Sequence, residues 1–274
     1  MVNDTEKNFG AYALNKHQSR LLRLAQAAPA SWLGRRMALI LRKAVLLRGP
    51  SIIDAVVDGL KLRLYTKDNV SERKFLFMPQ FFDPYERGLL KKNLKPGGVF
   101  VDVGANAGIY SLTAALLVGG SGKVISIEPN PAVLDRLKFN AALNGFEKRI
   151  ISEQSGVSSG EGSFDLALDE GNLGGSSLVA QRSARKISVR CYKLLSILQK
   201  YRLQKIDALK IDIEGAEDRA LVPFFKEAPR GLYPKILILE NSPGDWKEDL
   251  PAVLRISGYR LLKTTRMNQV WELP

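Results

Sequence analysis

The stretch Asp102-Val-Gly-Ala-Asn-Ala-Gly108 decides the fold of this 274-residue chain. It follows the apolar run 99–101 and precedes the apolar segment 109–117. This order predicts a buried β-strand, a glycine-rich turn and an α-helix. Gly104 and Gly108 allow the backbone to turn tightly and to pass close to a ligand, because no Cβ stands in the way. Some α/β units carry such a turn for packing alone, so the turn indicates a ligand site only together with a second feature.

Glu128 is that second feature. It follows a predicted strand over 123–127 and lies 20 residues beyond Gly108. A carboxylate at the end of the second strand can accept hydrogen bonds from both hydroxyls of a ribose. Asn106 stands where a pyrophosphate-binding loop usually has glycine, so the Gly-x-Gly-x-x-Gly spacing of dinucleotide sites is absent. Together these features favour an adenosine-containing cofactor without pyrophosphate, and S-adenosylmethionine fits.

The predicted cofactor site has six candidate residues. Asp102 either accepts hydrogen bonds from the turn amides or contacts the amino group of the cofactor. Asn130 either borders the adenine or caps the helix that follows it. The full set is Asp102, Gly104, Asn106, Gly108, Glu128 and Asn130.

Four stretches resemble one known family, the FkbM-type S-adenosylmethionine-dependent methyltransferases. They are FVDVGANAGIYSL (100–112), VISIEPNP (124–131), GNLGGSSL (171–178) and LKIDIEGAE (209–217). The resemblance covers residues 80–245 with the motifs in family order, and the last stretch is the most specific. The chain departs from the family at Leu195. The family often has Leu-Asp just before the helix that precedes the fourth strand, and here the second of these residues is leucine. A cap or substrate contact found in relatives is therefore in doubt here.

Alternating strands and helices predict an α/β fold with a doubly wound, mostly parallel sheet. The predicted strands are 99–103, 123–127, 149–153, 207–213 and 235–240, with helices 107–117, 131–143, 215–226 and 246–257 between or after them. The last two strands, 259–263 and 268–273, have too short a connection for a crossover helix, so they predict an antiparallel C-terminal hairpin. This is the class I methyltransferase (Rossmann-like) architecture. Two further strands, 165–168 and 187–191, are predicted around the loop 169–176.

The N-terminal part of the chain predicts a separate extension. Residues 11–48 show two helical patterns, broken at 29–31, and Ser31 is placed to cap the second helix. Asp58-Gly59 then predicts a tight hairpin between strands 52–57 and 60–65. We therefore divide the chain into a basic helical extension, residues 1–50, and a methyltransferase domain, residues 51–274.

The net charge of +13 is uneven, because residues 1–100 hold 18 Lys and Arg against 8 Asp and Glu and so carry +10. Such a surface attracts polyanions such as nucleic acid, lipid head groups or a phosphorylated substrate. The basic amphipathic segment 31–48 either lies on an anionic membrane or packs against its own domain. The polar start, the single Cys191 and the lack of a long apolar run predict a cytoplasmic protein, peripheral at the inner membrane face if the segment binds lipid. An oligomer is left open.

Lys210, Asp212 and Glu214 alternate with apolar residues, so they share one face of a continuing strand. Ionisable groups in so apolar a strand are costly unless they are paired or functional. We expect Asp212 to orient or deprotonate the methyl acceptor, with Glu214 second and Lys210 beside them. The alternative is a structural pair between the lysine and a carboxylate.

Glu240-Asn241 ends the next strand, so with Asp212 it offers carboxylate and amide oxygens at adjacent strand ends. Such oxygens suit Mg²⁺, and the set is similar to the metal ligands of catechol-type O-methyltransferases. The alternatives are direct substrate binding by Glu240 or capping of the next helix. The loop 171–176 offers Asn172 and Ser176 as substrate contacts, unless it is a plain hairpin loop. Tyr85 and Glu86 are expected to close the cofactor site.

The leading function is an S-adenosylmethionine-dependent O-methyltransferase. The family resemblance implies a sugar, glycolipid or polyketide-type hydroxyl as acceptor. The charge motivates an RNA methyltransferase as the alternative, although no aromatic platform is interleaved with the basic stretches. A third hypothesis is a non-catalytic cofactor-binding partner protein, which would need the end of strand 207–213 to lack ionisable groups.

Overall fold

Two helices and a hairpin form the N-terminal part of the fold. The computed structural model describes residues 4–47, 49–169, 171–176 and 185–274. The first elements are α1 (Lys16–Gln26), α2 (Trp32–Leu46), β1 (Ile52–Val57), β2 (Leu60–Tyr65), α3 (Val70–Phe77) and α4 (Pro84–Asn93). Ser31 caps α2 as predicted, since its Oγ accepts a hydrogen bond from the amide of Gly34 at 3.1 Å. Asp58 and Gly59 have φ of 50° and 83°, as a two-residue hairpin turn requires.

The N-terminal helices share a hydrophobic core with one face of the main sheet. Leu22 of α1 and Val45 of α2 belong to the same buried cluster as Phe100 at the centre of the molecule. The side-chain amide of Gln80 adds hydrogen bonds of 3.0 Å to the carbonyl groups of Ala25 and Ala28. The domain boundary at residue 50 stays a prediction.

Seven strands form the main sheet, and helices cover both of its faces. The elements are β3 (Val99–Val103), α5 (Ile109–Val118), β4 (Lys123–Ile127), α6 (Pro131–Leu143) and β5 (Ile150–Glu153), and, after a smaller sheet, α7 (Leu194–Lys200), β9 (Ala208–Ile211), α8 (Glu217–Glu227), β10 (Ile236–Glu240), α9 (Leu250–Ile256), β11 (Arg260–Thr264) and β12 (Asn268–Glu272). The strand order is β11-β12-β10-β9-β3-β4-β5. Only β12 is reversed, because it pairs antiparallel with both β10 and β11. The predicted class I methyltransferase fold and its C-terminal hairpin are therefore confirmed.

The smaller sheet has the order β6-β8-β7 and consists of β6 (Gly156–Val157), β7 (Gly162–Leu168) and β8 (Arg185–Tyr192). It contains the two extra strands predicted from the sequence and carries the loop that includes residues 171–176. Ser177 and Leu178 of the quoted motif, and Arg48 of the segment 31–48, lie outside the described residues. None of the helices in the described ranges is long and apolar enough to span a membrane.

Two predicted elements begin or end elsewhere. The strand predicted over 207–213 ends at Ile211, because Glu214 and Gly215 have φ of 55° and 88° and turn the chain away from the sheet. The helix predicted over 246–257 begins at Leu250, where Asp249 accepts a hydrogen bond from the amide of Ala252 at 3.0 Å.

Candidate active site

The candidate site lies at the edge of the main sheet where its parallel strands end. Asp102 on β3 pairs in register with Lys210 on β9, and the chain then continues to Asp212. Glu240 ends β10 and pairs with Asn268, the first residue of the reversed strand β12. Ionisable side chains from neighbouring strands therefore meet at one edge, as expected for a ligand site in a doubly wound sheet.

Two cavities open at this edge. The larger, of about 320 Å³, is lined by Asp102, Asn106, Lys210, Glu240 and Asn268 among others. The smaller, of about 40 Å³, is lined by Glu128, Ser155, Leu166 and Leu173 among others. Both contain Gly104, Gly174, Asp212 and Glu214 in their walls, so the two cavities adjoin.

The glycines of the turn are required by the packing of the protein itself. A Cβ on Gly104 would lie 1.9 Å from the carbonyl oxygen of Asp212, and one on Gly108 would lie 2.6 Å from Cγ of Leu137. Their φ angles of 74° and 87° also favour glycine. Close contacts with the end of β9 and with α6 therefore require glycine at these positions, and Gly104 also lies in the walls of both cavities.

Glu128 is almost completely buried beside the smaller cavity. One carboxylate oxygen accepts a hydrogen bond from the amide of Asn106 at 2.9 Å, and the other accepts one from the amide of Asn130 at 2.9 Å. Each oxygen has a second lone pair that a ribose hydroxyl can use. Burial raises the pKa of Glu128 to about 7, although both amide hydrogen bonds act to lower it.

Replacing Glu128 by glutamine should weaken S-adenosylmethionine binding by roughly 1–3 kcal/mol, because the hydroxyls of a ribose bond more strongly to a carboxylate than to an amide. In the native protein the affinity should also fall as the pH drops below about 7, since the carboxylate is then protonated. Calorimetric titrations at several pH values measure both effects. Glu147→Gln removes the same charge at an exposed position and should change neither the affinity nor its pH dependence. A pH dependence that persists in Glu128→Gln would exclude Glu128 as the residue that binds the ribose.

Asp102 and Asn130 each have one atom without a partner. Oδ2 of Asp102 accepts a hydrogen bond from Oγ of Ser111 at 2.6 Å, whereas its Oδ1 is buried and unpartnered. Oδ1 of Asn130 caps α6 by accepting from the amide of Ala132 at 3.1 Å, whereas its Nδ2 is buried and unpartnered. Ser155 has a buried unpartnered Oγ in the wall of the smaller cavity. Unpartnered buried polar atoms are uncommon in proteins, and a bound ligand would satisfy those at a cavity wall.

Lys210 is ion-paired with a carboxylate in the wall of the larger cavity. Its Nζ lies 2.7 Å from Oδ2 of Asp212, and it lies 5.0 Å from the centre of the Tyr110 ring. Burial alone would lower the pKa of Lys210, but Asp212 and Asp102 outweigh it and hold that pKa above its usual value. Lys210 is therefore a charged lysine inside the protein, and the structural pair considered in the sequence analysis exists.

Glu214 and Glu240 are carboxyl groups with raised pKa values beside Asp212. Burial, followed by the charge of Asp212, raises the pKa of Glu214 to about 7 and that of Glu240 to about 8. Oε2 of Glu240 is buried and unpartnered at the cavity wall. Groups that titrate near neutral pH are suited to accept a proton during a reaction.

Asn241 lies apart from the carboxylates with which it was expected to bind Mg²⁺. Its Oδ1 accepts a hydrogen bond from Nε2 of Gln269 at 2.9 Å, so this oxygen is engaged with β12. In the parts of the chain that the structure describes, no three His, Cys, Asp or Glu side chains are grouped to hold a metal ion. Of the predicted metal ligands, the structure brings only Asp212 and Glu240 to the cavity.

The 171–176 loop lies across the glycine turn. A Cβ on Gly174 would lie 2.1 Å from Nδ2 of Asn106, and the amide of Leu173 donates to the carbonyl oxygen of Asp68 at 2.7 Å. Asn172 accepts a hydrogen bond from the amide of Val70 and lines the larger cavity. Ser176 lines the smaller cavity. The two predicted substrate residues therefore face different cavities.

Part of the larger cavity was not predicted from the sequence, and two residues predicted to close the cofactor site lie elsewhere. Lys74, Asp83 and Asn268 line this cavity, with Asp83 ion-paired to Lys74 at 3.3 Å. Tyr85 and Glu86 do not close the cofactor site, because they lie in a groove beyond this cavity. The predicted C-terminal hairpin could have revealed Asn268, since a reversed strand begins at the edge where its parallel neighbours end.

The sheet order and the site at its edge define a class I methyltransferase. A family model described as the methyltransferase FkbM domain matches residues 102–261. The chain belongs to this methyltransferase family, which confirms the resemblance noted in the sequence.

Individual relatives are distant. Methyltransferase sdnD of Sordaria araneosa is 26% identical over 239 residues, covering 76% of this chain and 90% of that protein. A probable cobalt-precorrin-6B C(15)-methyltransferase of Pyrobaculum aerophilum is 41% identical over 63 residues, covering 23% of this chain and 32% of that protein. The structure of a SAM-dependent O-methyltransferase from Thermotoga maritima is 14% identical with a TM-score of 0.44, and the alignment covers 84% of this chain and 79% of that one.

Membership of the family implies S-adenosylmethionine, and the residues present fit it. Glu128 has lone pairs free for a ribose, and the buried Oδ1 of Asp102 can accept from an ammonium group. Asp212, Glu214 and Glu240 give the adjoining walls an acidic character that suits a positively charged sulfonium ligand and disfavours a pyrophosphate. Leu195, where relatives often have aspartate, is the second residue of α7, and the N-cap residue of this helix is Lys193, which makes no side-chain capping hydrogen bond.

Proposed function

We propose that the protein is an S-adenosylmethionine-dependent O-methyltransferase that acts on a hydroxyl of a sugar, a glycolipid or a polyketide-type product. The carboxyl cluster of Asp212, Glu214 and Glu240 beside a cavity of about 320 Å³ carries this proposal. Methyl transfer to a hydroxyl releases a proton, and two of these groups have pKa values near 7 and 8. The cluster therefore offers both a charged group to orient the hydroxyl and a group to accept its proton.

When bound, S-adenosylmethionine supplies a methyl group on a positively charged sulfur. Lys210 keeps the Asp212 carboxylate in place, and Asp212 orients the acceptor hydroxyl towards that methyl group. Glu240 or Glu214 would take up the proton that the acceptor hydroxyl loses. A carboxylate would thus become a carboxylic acid as the positive charge of the donor is lost, so charge would balance. Positioning the two reactants supplies most of the rate enhancement in such a displacement.

Labelled methyl transfer in a cell extract tests the proposal. The purified protein is incubated with extract and deuterated methyl donor, and the extract is separated into lipid, carbohydrate, small-molecule and RNA fractions. We expect mass spectrometry to find a methyl ether in one of the first three fractions. Label confined to ribonuclease-sensitive material would favour the RNA methyltransferase alternative, and no label in any fraction would favour the non-catalytic alternative.

We also propose that α2 holds the protein at an anionic membrane surface. Trp32, Leu33, Ile40 and Leu47 are 73%, 71%, 69% and 75% exposed, so an apolar ridge faces solvent. The exposed cations Arg35, Arg36 and Lys43 belong to the same helix, and the guanidinium group of Arg36 lies 5.2 Å from the centre of the Trp32 ring. Exposed apolar side chains with cations beside them are the pattern of a helix that lies in a membrane interface.

Replacing Arg36 and Lys43 by glutamine should reduce sedimentation with vesicles that contain phosphatidylglycerol. The expected loss is about 1 kcal/mol for each charge, or roughly 30-fold for the pair. The matched control is Lys16→Gln with Arg20→Gln, which removes the same charge from α1 and should have little effect. If the native protein does not sediment with these vesicles, the proposal for α2 is wrong.

A further inference from the structure

A groove continues from the larger cavity to α2. Lys74, Asp83 and Met267 line both the larger cavity and an adjoining groove of about 590 Å³. Leu39 and Arg42 of α2 line this groove and also a shallower one of about 630 Å³ along the helix. One continuous path therefore leads from the carboxyl cluster to the exposed side of α2.

Four of the five cations that line this groove have no counter-ion in the described part of the chain. Arg35, Arg42, Lys263 and Arg266 line its walls, and within the described ranges no carboxylate lies within 4.0 Å of any of their charged nitrogens. Surface cations of globular proteins are usually interspersed with acids, so four unpaired ones around a single groove favour an anionic ligand.

The acids of the same groove are already engaged. Asp83 is ion-paired with Lys74 and accepts a hydrogen bond from the Tyr110 hydroxyl at 3.0 Å. Glu86 is buried and accepts hydrogen bonds of 2.8 and 2.9 Å from Thr265 and Asn268. Neither carboxylate is available to neutralise the four cations.

Arg42 lies at the junction of the two grooves and is half-buried. Burial and the neighbouring positive charge of Arg73 both lower the pKa of Arg42, so an anion at this point would relieve a repulsion that the free protein retains. Beyond the junction the shallower groove adds aliphatic side chains, since Leu39, Ile40, Leu46 and Leu47 line it together with the cations Arg36, Lys43 and Arg73. The path thus changes from acidic to cationic, and then to a wall that is both aliphatic and cationic.

We propose that this groove binds a methyl acceptor that carries a phosphate on an aliphatic chain, with the phosphate at Arg42 and Arg35 and the chain along α2. The order of the walls matches such a molecule from end to end. The hydroxyl reaches the carboxyl cluster, the phosphate meets unpaired guanidinium groups, and the chain covers aliphatic side chains. Guanidinium groups bind phosphate oxygens in pairs of parallel hydrogen bonds, which makes them suited to this role. Only the placement of the hydroxyl rests on the proposed methyl transfer.

Calorimetry with dodecyl phosphate below its micelle concentration tests the groove directly. We expect dodecyl phosphate to bind, and both inorganic phosphate and the neutral dodecyl maltoside to bind at least about tenfold more weakly. Arg35→Gln with Arg42→Gln should weaken dodecyl phosphate binding about tenfold or more, whereas the charge-matched control Lys16→Gln with Arg20→Gln should not. Arg42→Lys keeps the charge but loses the paired hydrogen bonds, so it should bind dodecyl phosphate more weakly than the native protein and more tightly than the double glutamine variant. Thermal unfolding of each variant verifies that it is folded.

Equal binding of dodecyl phosphate and dodecyl maltoside would overturn the proposal, because the groove would then select only the chain. Equal losses in the Arg35/Arg42 variant and the control would overturn it too, since net charge alone would explain the binding. Inorganic phosphate that binds as tightly as dodecyl phosphate would overturn the role of α2. If dodecyl phosphate binds as expected but no fraction of the extract is methylated, the groove stands and the proposed methyl transfer fails.

Discussion

Replacing Asp212 by asparagine should lower the methyl-transfer rate at least about 100-fold and leave the affinity for S-adenosylmethionine nearly unchanged. The amide has nearly the same shape, but it cannot form the ion pair with Lys210, whose Nζ lies 2.7 Å from Oδ2 of Asp212. The acceptor hydroxyl then loses the charged group that orients it. Single-turnover rates with the native acceptor, combined with calorimetry of donor binding, measure the two effects separately.

The pH profile of the same variant separates catalysis from a structural effect. Because the charge of Asp212 raises the pKa of both Glu214 and Glu240, its removal should move the acidic limb of the rate profile to lower pH. Asp135→Asn, which removes a charge from an exposed ion pair, should leave the pH profile of the rate unchanged. A chelator distinguishes the Mg²⁺ hypothesis, since activity that is lost in chelator and restored by Mg²⁺ requires a metal. Full activity of Asp212→Asn would remove this residue from the mechanism.

Replacing Lys210 by methionine should lower the free energy of unfolding by about 2–3 kcal/mol, less than for a fully buried ion pair, because the side chain of Asp212 is 38% exposed and stays hydrated. Methionine fills much of the same space, so the loss is mainly electrostatic. The variant leaves Asp102 buried without its cation, and the pKa of Asp102, already raised by burial, should rise further. Urea unfolding of the folded variant measures the loss.

The pH dependence of that loss has a definite sign. In folded Lys210→Met, Asp102 should keep its proton at pH values where the unfolded chain has already released it. The stability of the variant should therefore fall as the pH rises from the pKa of aspartate in the unfolded chain to the raised pKa of Asp102 in the folded protein. Adding Asp102→Asn should recover at least about 1 kcal/mol, because the two changes share one interaction. Lys138→Met, at an exposed pair with Asp135, should cost no more than about 1 kcal/mol. An equal cost at both lysines would contradict the buried-charge interpretation.

The strand, turn and helix around Gly104 were predictable because each depends on neighbouring residues. The same holds for the shared face of Lys210 and Asp212, which follows from their spacing of two along a strand. Glu214 shows where this reasoning ends. It would share this face if the strand continued beyond residue 213, yet its φ of 55° places it in a turn that depends on contacts with other elements.

Contacts between distant parts of the chain could not be predicted from one sequence. Asn241 has a suitable side chain for a metal site, but Gln269 engages its oxygen, and no local pattern shows that pairing. Likewise, the hydrogen bond between Glu86 and Asn268 joins residues 182 positions apart. Whether Arg42 is ion-paired depends on the positions of all nearby carboxylates, which one sequence does not give. The charge distribution along the chain therefore predicted an anionic partner but not the residues that bind it.

The family match does not include all residues of the groove, so residues that bind the donor and residues that line the groove lie in different parts of the chain. Every residue assigned here to the donor lies within residues 102–261, whereas Arg42, Lys74, Asp83 and Met267 lie outside that range. Membership of the family therefore bears on the donor and on the carboxyl cluster, and not on the groove residues that lie outside the match. If the groove binds the acceptor as proposed, two relatives could share every motif and still differ in substrate, and exchanging the segments that flank the matched domain is the direct way to transfer one enzyme's acceptor choice to another.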